Sequence, residues 1–549
     1  MDENNKIMNK VIYLKNHCKS VINPKYIIRD ILFFLIAFLL VFDEIPEAIQ
    51  LKMLGGPLED DAVVYPLIAG LIYSGYKYYH GKLTLYSFSR FKWFVFFFIG
   101  ASLLSLIVGL VQYPFYTEIV SSPEIKSHIF SYFPLIADML HLPYEDTTAI
   151  GVLFFIRSTK NILLYALYIW GGSYMIYCWY HEEFKRGLKV FCLGCMASLS
   201  IFLVIGFLNL CALTGNIEVK TFLYSDIYPY ILRETRVIVN GVYNYRPNQI
   251  RSILPEPSHI GNYYAAILPT LLLGFSVYKT KISKIFFGIC LLVTAFMGFM
   301  GQSRTPMGIM VGIFILFIIG SLLQGRDSWK RILPVAFITI ISFGVSIIFI
   351  NSFVSVEGGD KSKSQSTVVK YAEANLISLN LNDTSKRSNS ARKAYIMIHL
   401  REGMDHPLLG VGPELSPAYN LQYVTADEMQ DREVHKTVIE MKNRGIISGT
   451  YNMSAQNEFA QRFSENGILG LIIFCFPFLY ILWHLFLLII QYRNHISESH
   501  FLLWAFIAVF AGFISGANGY AVMMYNVWPI LGLAYSIYDK FKIIDKDNL

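Results

Sequence analysis

Eleven stretches of this chain that read as candidate membrane spans run for a dozen residues or more without one Asp, Glu, Lys or Arg. They are 31–42, 62–76, 93–117, 161–180, 190–217, 257–278, 285–303, 305–325, 332–356, 466–492 and 499–538. A helix needs about 20 apolar residues to cross a bilayer, and fewer where flanking Lys and Arg snorkel. The last stretch is long enough for two helices, with Ser515-Gly-Ala-Asn-Gly519 as the turn between them. The chain therefore reads as an all-α polytopic membrane protein with about twelve transmembrane helices.

Composition sharpens this. Charged residues make up 15% of the 549 and apolar ones 54%, against about 25% charged in soluble proteins. That excludes a soluble enzyme, a disordered chain and a disulfide-stapled secreted domain. The formal charge of +7 belongs to loops on the cytoplasmic side, so nucleic acid is not an expected partner. Cys192 and Cys195 form a C-x-x-C in an apolar run, a spacing that puts two small thiols on one helix face. The first 30 residues are polar and basic, and read as a cytoplasmic segment rather than a cleavable signal.

Lys and Arg gather in alternate connections: Lys6 to Arg29, Lys77 to Lys92, Lys185 to Lys189, Lys279 to Lys284, Arg326 to Arg331 and Lys540 to Lys546. The first loop on the other side instead carries Asp43, Glu44, Glu47, Glu59, Asp60 and Asp61. The positive-inside rule puts both termini in the cytoplasm, and an even number of spans, which places both termini on one side, agrees. The expected organisation is 1–353 with spans 1–9 and outer loops 114–160 and 216–256, a large outer loop 354–465, and 466–549 with spans 10–12. The large loop opens on a polar stretch, Gly358 to Ser366. Ser388-Asn-Ser390 could cap a helix from Ala391 to about Met404. The chain has no internal repeat, and no Asp, Glu, Lys or Arg sits mid-span. Both features count against an ion-coupled transporter.

Polar chemistry instead collects at the outer ends of the helices. Arg246-Pro-Asn-Gln-Ile-Arg251 and Glu256-Pro-Ser258-His259 lead into the sixth span. Pro257 suits the first helical turn, with Glu256 at the cap. Either Arg251 binds anionic oxygen and Glu256 orients or deprotonates a hydroxyl, or the segment is a capped helix start with snorkelling charges. Gly301-Gln-Ser303-Arg304-Thr305-Pro306 is a tight outer turn in which Thr305 can cap the eighth span and Pro306 open it. An arginine beside a helix N-terminus makes an anion site, or else pairs with a loop carboxylate. The large loop adds Arg392, His406-Pro-Leu-Leu-Gly410-Val-Gly412, Gln456-Asn457-Glu458 and Glu465-Asn-Gly467-Ile-Leu-Gly470. Its glycines suit turns and close helix packing. Arginine forks match phosphate oxygens in pairs, so a diphosphate on a polyprenyl tail fits both the arginines and the bilayer.

The order of these motifs resembles the O-antigen polymerase and ligase superfamily of bacterial envelope enzymes. Glu-Pro-Ser-x-x-Gly follows a loop arginine, then comes Ser-Arg in a short turn, Arg392 before Pro-Leu-Leu-Gly-Val-Gly, and Asn457 before Glu-x-Gly-Ile-Leu-Gly. The resemblance covers roughly 245–475. It implies a GT-C-like glycosyltransferase of the inner membrane, independent of metal and cofactor, with its active site facing the periplasm. Its donor and acceptor would be undecaprenyl diphosphate-linked oligosaccharides, and a polysaccharide co-polymerase that regulates chain length is a possible partner. By resemblance, Arg251, Arg304 and Arg392 neutralise the diphosphate. Glu256 is the candidate base with Glu458 and His259 behind it, and Arg246, Ser258, Ser303, Gln456 and Asn457 position substrate. The ligase branch has a histidine where this chain has Gln456, a departure that favours an O-antigen or capsule polymerase. The alternatives are a ligase acting on lipid A core and a lipid-linked oligosaccharide flippase.

Overall fold

The computed structural model describes residues 26–42, 45, 50, 61–120, 133–231, 238–239, 242–243, 249–278, 280–324, 328–353, 387–444, 453–519 and 527–547. Within them the fold is helical, apart from a two-residue antiparallel pairing of Ile238–Val239 with Val242–Tyr243. In chain order the bundle begins with α1 (Ile27–Phe38), α2 (Val64–Tyr79), α3 (Phe88–Gln112), α4 (Asp146–Tyr180) and α5 (Phe184–Leu213). It continues with α6 (His259–Val277), α7 (Lys281–Met300), α8 (Arg304–Leu323) and α9 (Trp329–Phe353). Three helices follow in the large loop: α10 (Arg387–Asp405), α11 (Ser416–Asn420) and α12 (Arg432–Arg444). The last three are α13 (Glu458–Gln491), α14 (Ile496–Ser515) and α15 (Val527–Asp547).

Eight of the described helices, α3 to α9 and α13, are long and apolar enough to cross a membrane. The four other expected spans coincide with α1, α2, α14 and α15. Of these, α1 has 12 residues and α2 has 16. The apolar part of α14 is Ser499–Ser515. The second half of α15 carries Asp539, Lys540, Lys542, Asp545 and Lys546.

At one end of the bundle, charged side chains staple distant helices. Arg29 of α1 meets Glu183 at 3.0 Å and donates to the Trp179 carbonyl at 2.6 Å, and Arg186 meets Asp30 at 2.6 Å. Arg90 of α3 lies 3.5 Å from Asp539 of α15, which also accepts from Tyr177 at 2.5 Å. These contacts group the connections that carry the excess of Lys and Arg. The core of the bundle is α6, almost wholly buried, which packs on α8, α14 and α7.

The opposite end holds the large loop. Its described part has a small core of its own, formed by Ala391, Tyr395 and Ile398 of α10 with Val434, Val438 and Met441 of α12. Two glycine motifs fasten it to α13. The Val411 and Gly412 amides donate to the Ser464 and Glu465 carbonyls, both at 2.9 Å, and the Ile468 amide donates to the Pro407 carbonyl at 2.8 Å. Gly467 (φ 63°) breaks α13 here, and Gly410 (φ 67°) faces it. A Cβ on Gly467 would lie 2.3 Å from the Leu408 carbonyl carbon, and one on Gly410 would lie 2.4 Å from that of Glu465. Two backbones this close in left-handed conformation need glycine on both sides.

Several local expectations shift. Residues 146–160, expected in a loop, are the first turns of α4. Arg157 and Lys160 there are exposed, and Arg157 has a partner in Glu414 at 3.6 Å, so the charges do not stop the helix. Helix α10 starts at Arg387 rather than Ala391. Helix α6 starts at His259 with Ser258 at the cap, so Pro257 precedes it and Glu256 is not the cap. The cause is steric: Pro257 biases Glu256 toward an extended backbone. In the next motif the extended Ser303, not Thr305, holds the cap position of α8, and Pro306 falls later in the first turn, where no amide partner is needed. The stretch Gly358 to Ser366 lies outside the described residues.

Candidate functional site

The start of α6 and the α7–α8 turn lie together at one end of the bundle. The loop before α6 docks on that turn. The Ile250 amide donates to the Met300 carbonyl at 3.3 Å, and Gln249 donates to the Gln302 carbonyl at 3.4 Å. Gly261 packs so tightly on α8 that an added Cβ would lie 2.7 Å from Thr305. The first two motifs thus form one structure, with Glu256, Ser258, His259, Ser303 and Arg304 all half-buried around it. Ser258 donates to Glu256 at 3.1 Å, and the His259 amide donates to the Glu256 carbonyl at 3.1 Å. Ser303 makes no side-chain cap bond.

Arg251 is placed differently. It is 1% exposed, its guanidinium lies 4.2 Å from the centre of the Tyr228 ring, and it donates to the Pro255 carbonyl at 3.3 Å. Its amide donates to Asn209 at 3.0 Å. From inside the loop it holds the segment that carries Glu256. Arg246 lies outside the described residues.

The third motif forms a second group. Half-buried Arg392 donates to Gln456 at 3.3 Å. Asn457 caps α13: its side chain accepts from the Ala460 amide at 3.0 Å and donates to the Ala517 carbonyl at 2.9 Å. Glu458 is fully buried, 2.6 Å from Arg462. It is committed to this ion pair, and Glu256 is half-buried and accepts from Ser258.

Beside this group is a polar cavity of about 310 Å³ that the motif reading did not single out. Ser102 of α3, Ser158 and Asn161 of α4, Glu414, Ser454, and Gln461, Arg462 and Glu465 of α13 contribute its polar wall. Arg462 also approaches Glu465 to 3.5 Å, and Asn161 donates to Glu414 at 3.0 Å. The signal for it was present, because Glu458, Arg462 and Glu465 fall at i, i+4 and i+7 on one helix face. It is hidden in the sequence because these residues precede the charge-free run 466–492.

A second polar cluster lies beneath α11. His399, Glu402, Ser416, Asn420 and Ser464 are all buried. His399 Nε2 donates to the Met453 carbonyl at 2.7 Å, and its Nδ1 lies 2.9 Å from the Ser464 hydroxyl. That is the pattern of a neutral imidazole, and burial holds its pKa down at about 4. Ser416 donates to Glu402 at 3.0 Å, and burial pushes the Glu402 carboxyl well above its ordinary range.

An all-helical, multi-pass membrane protein with polar groups gathered at one end of its spans is the class these features define. Residues 289–475, roughly a third of the chain, match the family model described as O-antigen ligase. The match is consistent with the O-antigen polymerase and ligase superfamily, and supports a membrane enzyme that processes lipid-linked glycans. No curated protein matches the chain.

Proposed function

We propose that this chain polymerises lipid-linked polysaccharide repeat units. A growing glycan on undecaprenyl diphosphate is the donor, and a hydroxyl of the incoming lipid-linked repeat attacks its anomeric carbon. A bond forms from that carbon to the acceptor oxygen, and its bond to the diphosphate oxygen breaks. The leaving diphosphate keeps the electron pair, and arginine charge stabilises it. The acceptor proton passes to Glu256.

The observation that carries this reading is the docking of the Glu256 loop on the Arg304 turn. It puts a carboxylate and a half-exposed arginine at the end of an apolar bundle, where a diphosphate on a membrane-embedded tail would sit. Arg304 and Arg392 are the direct diphosphate contacts in this proposal, and Arg251 positions the loop. Ser258, Ser303, His259, Gln456 and Asn457 surround the reacting groups. The proposed setting is the bacterial inner membrane, with twelve spans, a GT-C-like arrangement, both termini cytoplasmic and the site facing the periplasm.

A ligase is the second reading, favoured by the description of the matching family. Against it stands Gln456, whose amide cannot take a proton and here accepts from Arg392. Purified protein with one cognate lipid-linked repeat separates the two. A ladder of lengths is expected from the polymerase. Arg304→Ala should remove it, a loss of at least about a hundredfold for a group that binds developing charge, with expression unchanged. A ladder from Arg304→Ala sinks the diphosphate role. No ladder from wild type, with transfer to a lipid A core acceptor, establishes the ligase.

A further inference from the structure

The donor site proposed above leaves the second substrate unplaced. The cleft between α3 and α4 has the form such a substrate needs. Its apolar part is a groove of about 520 Å³, lined by Phe88, Lys92, Val95, Ile99 and Leu103 of α3 and Trp170 of α4, among others. From Phe88 to Leu103, at about 1.5 Å per residue, the groove follows α3 for ~22 Å. That exceeds the ~15 Å of one hydrocarbon leaflet, so it suits a long isoprenoid chain better than a single phospholipid tail.

Toward the outer end of the same two helices lies the polar cavity. Phe98 of α3 lines it and packs on Trp170 of the groove with ring centres 6.1 Å apart. The carboxylates of Glu414 and Glu465 and the Asn161 and Gln461 amides suit sugar hydroxyls, and Arg462 adds a donor. At its edge Arg157 reaches Glu414, and Lys160 follows one turn on. Both cations are exposed, placed where a diphosphate would join tail to sugar. The cavity also abuts the Arg392 group, because Ser454 of its wall accepts from the Gln456 amide at 3.3 Å, and Gln456 accepts from Arg392.

We infer that the α3–α4 cleft binds a second polyprenyl diphosphate-linked sugar, the acceptor, with its tail in the groove, its diphosphate on Arg157 and Lys160, and its sugar in the cavity. This rests on the polymerase reading for the word acceptor, but its test is separate. The probe is a photoreactive polyprenyl diphosphate-linked sugar, offered to the full chain in phosphatidylglycerol-containing nanodiscs. Irradiation should label peptides of α3 and α4 as well as peptides near Arg304.

An added Cβ at Gly100, which lines the groove, meets nothing within 4 Å, so Gly100→Phe plugs the groove without disturbing a contact at its base. Either Gly100→Phe or the surface pair Arg157→Ala with Lys160→Ala should cut α3–α4 labelling about tenfold, the effect of losing one charge-assisted contact or its equivalent. Labelling near Arg304 should persist. Melting curves exclude misfolding, and the surface pair remains a test should the plug unfold the protein. Unchanged α3–α4 labelling in the surface pair overturns the inference. So does displacement of the label by extra phosphatidylglycerol, which would mark an ordinary lipid groove. Labelling without a ladder sinks the polymerase reading alone. A ladder without α3–α4 labelling sinks this inference alone.

Discussion

Glu402 and Glu458 are both 0% exposed, yet their surroundings answer that burial in different ways. Glu458 has a permanent cation. Arg462 cannot lose its proton, and its guanidinium meets Glu458 at 2.6 Å and Glu465 at 3.5 Å. Glu402 has only the Ser416 hydroxyl, at 3.0 Å, and a neutral His399 whose Nδ1 lies 3.9 Å away. One oxygen of each carboxyl, Glu402 and Glu458 alike, has no hydrogen-bond partner among the described residues. One cluster answers burial with an ion pair, and in the other burial pushes the carboxyl toward its protonated form. The paired cluster borders the polar cavity, where fixed charge can meet a substrate. The neutral cluster sits inside the loop's own fold, tying α10 and α11 to α13.

The sharpest way to break this contrast is to remove the cation. Arg462→Met should destabilise the protein by about 3–5 kcal/mol, because two buried carboxylates lose their partner. Thermal melting in detergent reads this directly. Adding Glu458→Gln and Glu465→Gln to the same variant should recover much of the loss. A cost below about 1 kcal/mol, as for an exposed pair, would mean that water already solvates the triad.

The neutral cluster should respond to pH instead. His399 binds its proton near 6.5 when unfolded and at about 4 when folded. Stability is therefore lost as pH falls from 6.5 toward 4, by up to about 3 kcal/mol, and His399→Gln should flatten that slope. Glu402 has the opposite sign. Its folded pKa lies above the ordinary 4.5, so its contribution is lost as pH rises past 4.5. Glu402→Gln should gain melting temperature relative to wild type as pH rises above 4.5. A relative loss over that range would mean that Glu402 and His399 form an ion pair, and the contrast between the clusters would disappear.

The bundle was legible because membrane spans are written as missing charge, a signal that needs no knowledge of neighbours. The four expected spans that coincide with α1, α2, α14 and α15 are those whose runs are short or shared. The polar end was legible in its motifs but not in their pairing. Nothing local says that Gly410 must face Gly467, or that the Glu256 loop rests on the Arg304 turn, because both are contacts between distant segments. Arg157, Glu414 and Arg462 were missed for a related reason. A charge in a stretch read as loop needs no partner, whereas Arg462, buried on α13, does. Arg251 shows the converse: its motif reads as a phosphate contact, while its burial against Tyr228 gives it the loop to hold.

Asn457 offers the smallest and most discriminating change. Its side chain accepts from the Ala460 amide at 3.0 Å and donates to the Ala517 carbonyl at 2.9 Å, so both ends of the amide serve the fold. Asn457→Ala should cost about 1 kcal/mol, the usual loss of a helix cap. Asn457→Asp keeps the cap oxygen and adds charge at a helix N-terminus, where an anion is favoured, so its stability should stay near wild type. If the residue acts only by holding α13, glycan transfer should follow stability and survive in the aspartate variant. If transfer fails in Asn457→Asp at unchanged melting temperature, the amide itself meets substrate, and the paired-charge end of α13 extends from the cavity to the Arg392 group as one site.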